Sequence, residues 1–184
     1  MVTPFSDPEP SLLQECCQGN RKAQQSLYER TCNAMLVLCQ RYLPQIEEAR
    51  EALMDGYLSV FRSLDRFEHR GPGSFRAWQS RIMVNSCLAK VRRTALHWEP
   101  MGDQQPEVAD PEAVLAQLSA KEIMAHIQTL PAGYRMVFNL FVFEQMTHPE
   151  IARLLGVTES TSKTQLLKAR RMLQEKLQAS DLQK

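Results

Sequence analysis

Residues 146–173 read MTHPEIARLLGVTESTSKTQLLKARRML. Thr147, Pro149 and Glu150 compose a capping box: the Thr147 hydroxyl is placed to accept from the Glu150 amide, and the Glu150 carboxylate to reach back. Pro149 falls in the first turn, where no amide partner is lost. Ile151, Leu154 and Leu155 give the helix a short apolar face, and Gly156 stands where a left-handed residue ends it. Thr158 then caps a second helix. At about 100° per residue, Ser162, Leu166, Ala169 and Leu173 share one face, whereas Ser160, Thr164, Leu167, Lys168 and Arg171 share the other, flanked by Lys163 and Arg170. The stretch predicts a helix-turn-helix whose second helix turns a cationic, hydroxyl-rich side outward.

Such a helix suits the major groove, with its N-terminal residues on base edges and its later cations on phosphates. Ser160, Lys163, Thr164, Gln165, Leu167, Lys168 and Arg171 are the candidate duplex-reading residues. A merely solvated surface helix is the plain alternative, but cap, glycine turn and cationic face coincide here.

Outward from this stretch, the chain of 184 residues is long enough for one ordinary domain or two small ones. No apolar run approaches the roughly 20 residues that span a bilayer, and Met1 to Pro10 is polar and proline-bearing. No membrane insertion is expected, and a cytoplasmic location is. The five cysteines, Cys16, Cys17, Cys32, Cys39 and Cys87, include no C-x-x-C pair. They read as reduced, mostly buried thiols, with a redox role for Cys16 and Cys17 as the lesser alternative. The formal charge of +1 gives no hint of a nucleic-acid partner, but its distribution does. Between Thr94 and Ala120 there is no Lys or Arg, while Glu99, Asp103, Glu107, Asp110 and Glu112 lie there, so the cations are concentrated on either side.

From the N-terminus, Ser11 to Gln14 forms a capping box opening a short helix that carries Leu12, Leu13, Cys16 and Cys17 and stops near Gly19. Asn20 caps the next, which runs to about Tyr42 with Ala23, Leu27, Cys32, Met35, Leu36 and Cys39 toward a core. The third, about Ile46 to Arg66, has an apolar stripe from Ala49 through Tyr57 and Val60 to Leu64. Its opposite side carries Glu47, Glu51 and Asp55, with Met54 and Leu58 set among the carboxylates. Apolar anchors rimmed by charge are what a protein-docking face needs.

His69 to Gly73 reads as a loop and Ser74 as the cap of a fourth helix reaching about Arg93, with Phe75, Trp78, Ile82 and Ala89 inward. A neighbouring stripe holds Arg81, Asn85, Leu88 and Arg92. Cations beside a loop carrying Phe67, His69 and Arg70 suit backbone phosphates and an unstacked base, although Asn85 reads equally as a satisfied core amide. The prolines and acids of 96–117 read as a linker; about 20 such residues reach roughly 70 Å when extended. Beyond it, Ser119 to Glu122 is another capping box opening a helix with Ile123, Ile127 and Leu130. Pro131 starts the helix of Tyr134, Val137 and Phe138 that leads into the helix-turn-helix.

With both halves laid out, the chain resembles the extracytoplasmic-function group of bacterial RNA polymerase sigma factors, over about Leu12 to Leu177. In the second half the resemblance rests on Leu130-Pro131, Tyr134-Arg135, Val137-Phe138, Pro149 to Ala152, Leu155 to Val157, and Thr161 to Lys163 through Ala169-Arg170. In the first half it rests on Glu48-Ala49, Glu51, Asp55, Tyr57, Phe67, Phe75, Trp78, Ile82, Asn85 and Arg92. It implies an all-α chain of two small helical domains, at 10–95 and 118–178, joined by a flexible acidic linker at 96–117. The implied function is an alternative sigma factor. Glu51, Met54, Asp55 and Leu58 would dock on core RNA polymerase; Phe67, His69, Arg70, Arg81, Asn85 and Arg92 would melt and hold the minus-ten element; and the helix from Ser160 to Arg171 would read the minus-thirty-five element. The linker would thread toward the polymerase RNA channel.

The implied partners are core polymerase and promoter DNA, double- and single-stranded, with an anti-sigma factor as an optional third. Met54, Gly56 and Gln79 depart from the family's usual glutamine, larger apolar residue and leucine, and Gly71-Pro72-Gly73 bears on which base the loop prefers. The rival reading is a stand-alone helix-turn-helix regulator. An enzyme is not expected: His69, His97, His126 and His148 are dispersed, no phosphate loop appears, and no metal or cofactor set is visible.

Overall fold

The computed structural model describes residues 7–93 and 120–181. The described residues form eight α-helices and one 3-10 turn, without a strand, so the fold is all-α. The chain divides into two compact units, Met1–Thr94 and Ala95–Lys184. The expected linker at 96–117 and the Ser119 capping hydroxyl lie outside the described residues.

In the first unit, α1 spans Pro10–Cys17 and begins one residue before the expected cap, so Ser11 lies inside the helix. Pro10 takes the first turn because its missing N–H has no helical partner there, and the Leu13 amide closes that turn on the Glu9 carbonyl at 3.2 Å. Gly19, with φ of +79°, turns the chain, and Asn20 starts α2 (Arg21–Tyr42) by accepting from the amides of Lys22 at 3.0 Å and Ala23 at 3.3 Å. α3 spans Ile46–Ser63 and tightens into the 3-10 turn Leu64–Arg66; α4 spans Ser74–Arg93.

Both α2 and α3 pack on α4, and α1 lies on α2. The α3 stripe is inward as expected, from Ala49 to Leu64, with Phe61 half-buried at its edge. The other faces are corrected by the structure. On α2, Thr31 and Leu38 are buried, and Cys32 and Leu36 are only half-buried. On α4, Ala89 is exposed and Leu88 is buried, while Gln79, Met83, Val84, Cys87 and Val91 complete the inner arc. Two neighbours cover α4, so its apolar arc is wider than a single stripe predicts.

Two of the departures noted above have a packing cause. Gln79 is fully buried, and its Nε2 donates to the Thr31 hydroxyl at 3.1 Å, which also meets the Tyr57 hydroxyl and donates to the Leu27 carbonyl at 2.9 Å. This polar bridge ties α2, α3 and α4, though Gln79 Oε1 has no partner. Gly56 faces Met83, and a Cβ there would run into the thioether. Glycine lets α3 approach α4 closely. The thiols of Cys16, Cys39 and Cys87 are buried, and burial pushes the Cys16 pKa up to about 11, which disfavours the reactive thiolate. Cys17 is exposed.

In the second unit, α5 spans Ala120–Gln128, α6 Ala132–Val142, α7 His148–Leu155 and α8 Glu159–Asp181. Every residue of α6 from Gly133 to Leu140 is buried, with α8 against it. Arg135 is among them, and its guanidinium donates to the carbonyls of Gln128 at 3.2 Å and Leu130 at 2.6 Å. These carbonyls are at the end of α5, where the helix lacks donors and a cation is favoured.

Candidate nucleic-acid interface

The helix-turn-helix forms from the local signals that its sequence carries. Glu150 accepts from the Thr147 amide at 2.8 Å and from the Thr147 hydroxyl at 2.7 Å. The Thr147 side chain also meets the Glu150 amide, so the reciprocal box expected from the sequence forms, and the hydroxyl donates to the carboxylate in addition. Gly156 adopts φ of +71° and closes α7, and the Thr158 hydroxyl caps α8 by accepting from the Thr161 amide at 3.0 Å. His148 ties three helices: its ring stacks on Phe141 of α6 at 4.8 Å, and its Nδ1 lies 2.9 Å from the buried Ser162 hydroxyl of α8. Burial, then the nearby Lys163, holds its pKa below the ordinary histidine value and favours the neutral ring.

On α8, Ser160, Lys163 and Arg171 are exposed, and Thr164, Leu167 and Lys168 are half-buried on the same outward side. Lys163 pairs with Glu159 at 2.7 Å and Arg171 with Glu175 at 2.9 Å, while the Lys168 ammonium lies 5.9 Å from the Tyr134 ring centre. Gln165 does not belong with them. It is 1% exposed and faces inward beside Leu166, so it is unavailable to a base edge as placed. The helical angle explains this: Gln165 falls about 60° from Ser162 and about 40° from Ala169, within the buried arc.

In the first unit, Phe67 sits half-buried against Phe75 at 5.4 Å and Trp78 at 5.2 Å, so its ring anchors the base of the 67–74 loop. His69 and Arg70 are exposed; His69 Nδ1 accepts from the Gly71 amide at 3.3 Å, and Arg70 pairs with Glu68 at 2.9 Å. Gly71 and Gly73 take positive φ of +111° and +83°, which their lack of a Cβ allows. Ser74 is not the cap of α4: its hydroxyl accepts from the Arg70 amide behind it, at 3.2 Å. The capping group is Asp7, whose carboxylate accepts from the amides of Phe75 at 3.4 Å and Arg76 at 3.2 Å. Sequence reasoning missed this residue, since no local signal links positions so far apart. Arg81, Asn85 and Arg92 are exposed along α4, so the core-amide reading of Asn85 fails.

The acidic face of α3 is on the surface as expected. Met54 is 53% and Leu58 52% exposed, between exposed Glu51 and Asp55. Glu51 forms an ion pair with Lys90 of α4, a partner that the sequence reading did not name. A groove between α3 and α4 is lined by Asp55, Leu58, Ile82, Asn85, Ala89 and Lys90, among others. The candidate docking face and the candidate strand-binding stripe thus meet in one groove.

Residues 27–96 match the family model of Sigma-70 region 2, and residues 120–173 that of Sigma-70, region 4. The ECF RNA polymerase sigma factor SigM of Mycobacterium tuberculosis is 33% identical over 175 residues, covering 91% of this chain and 83% of that protein. The ECF RNA polymerase sigma-E factor of Escherichia coli is 26% identical over 180 residues, covering 91% and 93%. Among solved structures, CnrH in complex with the cytosolic domain of CnrY aligns with a TM-score of 0.50 over 94% of this chain and 99% of that one; at 22% identity it speaks for the fold alone. These matches displace the stand-alone regulator: the chain belongs to the ECF RNA polymerase sigma factors, alternative sigma factors that direct promoter recognition and transcription initiation.

Proposed function

We propose a division of labour between the two units. A first domain at 10–95 docks on core polymerase through Glu51, Met54, Asp55 and Leu58 and holds the melted minus-ten strand through Phe67, His69, Arg70, Arg81, Asn85 and Arg92. A second domain at 118–178 reads the minus-thirty-five duplex through Ser160, Lys163, Thr164, Leu167, Lys168 and Arg171. The stretch 96–117 serves as the acidic linker between them. The chain contributes no catalysis of its own; its partner polymerase carries the chemistry, in the cytoplasm. Among the described residues no helix is long and apolar enough to cross a membrane. A protein antagonist is a further partner on this reading, supported by the relative CnrH having been solved with the cytosolic domain of CnrY.

The observation that carries the docking assignment is the exposure of Met54 and Leu58, each above 50%, between carboxylates on a face that the unit's own core does not use. The Glu51→Lys, Asp55→Lys double variant is expected to lose co-purification with core polymerase while its melting temperature stays near that of the wild type. Because Glu51 pairs with Lys90, the single Asp55→Lys variant separates loss of the docking face from loss of that pair. Wild-type recovery of polymerase by the double variant would place docking elsewhere.

A further inference from the structure

We propose that Asp7 is a positioning residue for strand capture: it orders the first turn of α4 and, through it, the 67–74 loop. This rests on the strand-capture role given to that loop above. The first amides of a helix have no partner within it. At α4 the preceding residue is Gly73, which has no side chain to cap with, and the Ser74 hydroxyl is engaged with the Arg70 amide at 3.2 Å. The carboxylate of Asp7 meets the amides of Phe75 and Arg76 at 3.4 and 3.2 Å, and its charge complements the positive end of the helix.

The N-terminal arm holds the other side of the loop as well. Pro8 is buried beside Asp7, and α1 continues onto the 3-10 turn that leads into Phe67. Leu13 and Cys16 of α1 share one apolar cluster with Leu64 and Phe75, and Phe67 and Trp78 pack on it. Both ends of a loop with two positive-φ glycines are therefore held by residues 7–17 in addition to the loop's own bonds. Glycine-rich segments lose the most freedom on ordering, so such a loop needs outside fixing.

The test uses holoenzyme assembled from the full chain and core polymerase, and a pool of single-stranded oligonucleotides randomised at consecutive central positions. Selection and sequencing read both affinity and base preference. Asp7→Ala is expected to weaken strand binding about three- to tenfold, the size of a lost cap, and to blur the preference at the captured base, with holoenzyme yield unchanged. Asp7→Asn, which keeps one acceptor oxygen where the carboxylate meets the two amides with one oxygen each, is expected to restore both in part. Wild-type behaviour of Asp7→Ala would overturn the proposal, and so would a parallel loss of holoenzyme yield or an Asp7→Asn as weak as Asp7→Ala. His69→Ala with Arg70→Ala is run alongside: if that pair is harmless, the strand-capture reading fails and this inference with it. If the pair is harmful and Asp7→Ala is not, only the inference fails.

Discussion

Helices α4 and α8 both expose cations along one side, yet their first turns are ordered by different means. α8 is capped by Thr158, three residues before the amide that it binds, and the helix ahead of it is closed by Gly156. α4 follows a loop with two positive-φ glycines and is capped by Asp7, 68 residues from Phe75. One candidate DNA-binding helix is set up by its own neighbourhood, and the other by a distant arm. Pre-organisation of the first should therefore survive changes elsewhere in the chain, while that of the second should not.

The largest expected effect breaks the local side of this contrast. Gly156→Val forces a β-branched residue into φ of +71°, at a cost of about 2 kcal/mol, and should lower the unfolding midpoint and upstream-element binding together. Chemical denaturation followed by circular dichroism measures it; an unchanged midpoint would mean that the turn is not what sets α8.

Next in size is a test of which α8 residues face DNA. Gln165 Oε1 is buried without a partner, so Gln165→Met, similar in volume and apolar, should leave stability unchanged or raise it by about 1 kcal/mol, with the promoter preference intact. Lys163→Ala, by contrast, should shift the preferred upstream bases in a promoter library, because an N-terminal base-edge contact is worth roughly 1 to 3 kcal/mol of discrimination. A preference altered by Gln165→Met and untouched by Lys163→Ala would reverse the assigned face.

The smallest effect concerns His148, which is held neutral by burial and by Lys163 and Arg170, against the opposite pull of Glu159. Its folded pKa lies below the ordinary 6.5, so the unfolded chain binds the proton first. The stability due to this group is complete above about pH 6.5 and declines as pH falls toward the folded value. His148→Phe should keep the stacking on Phe141 and flatten this part of the pH profile of melting temperature. A profile of the same slope in both proteins would remove His148 from the account.

What was legible in the sequence follows the same contrast. Thr158, Gly156 and Asn20 act on residues within a few positions, and each was readable from residue type and spacing. Two misreadings share one cause, contact across the fold: Ser74 gave way to Asp7 as the cap of α4, and Leu88 replaced Ala89 inside because α4 is covered by both α2 and α3. The pairing of Glu51 with Lys90 is likewise a contact between helices that no local signal marks. Gln165 is different: its inward angle was available from the helical period, but a position near the start of α8 outweighed it. Asn85 reads from the sequence equally as core amide and surface residue, and the packing of its neighbours places it on the surface.

Whether the exposed α4 stripe acts on melted rather than paired DNA is decided by transcription from matched templates. One is a linear duplex promoter and the other carries a pre-melted bubble, each assayed with wild-type, Arg81→Ala and Asn85→Ala holoenzyme. Unpairing costs a few kcal/mol, so each variant should lose about tenfold or more on the duplex and no more than about twofold on the bubble, where that cost has been met. Equal losses on the two templates, or none on either, would contradict the assignment.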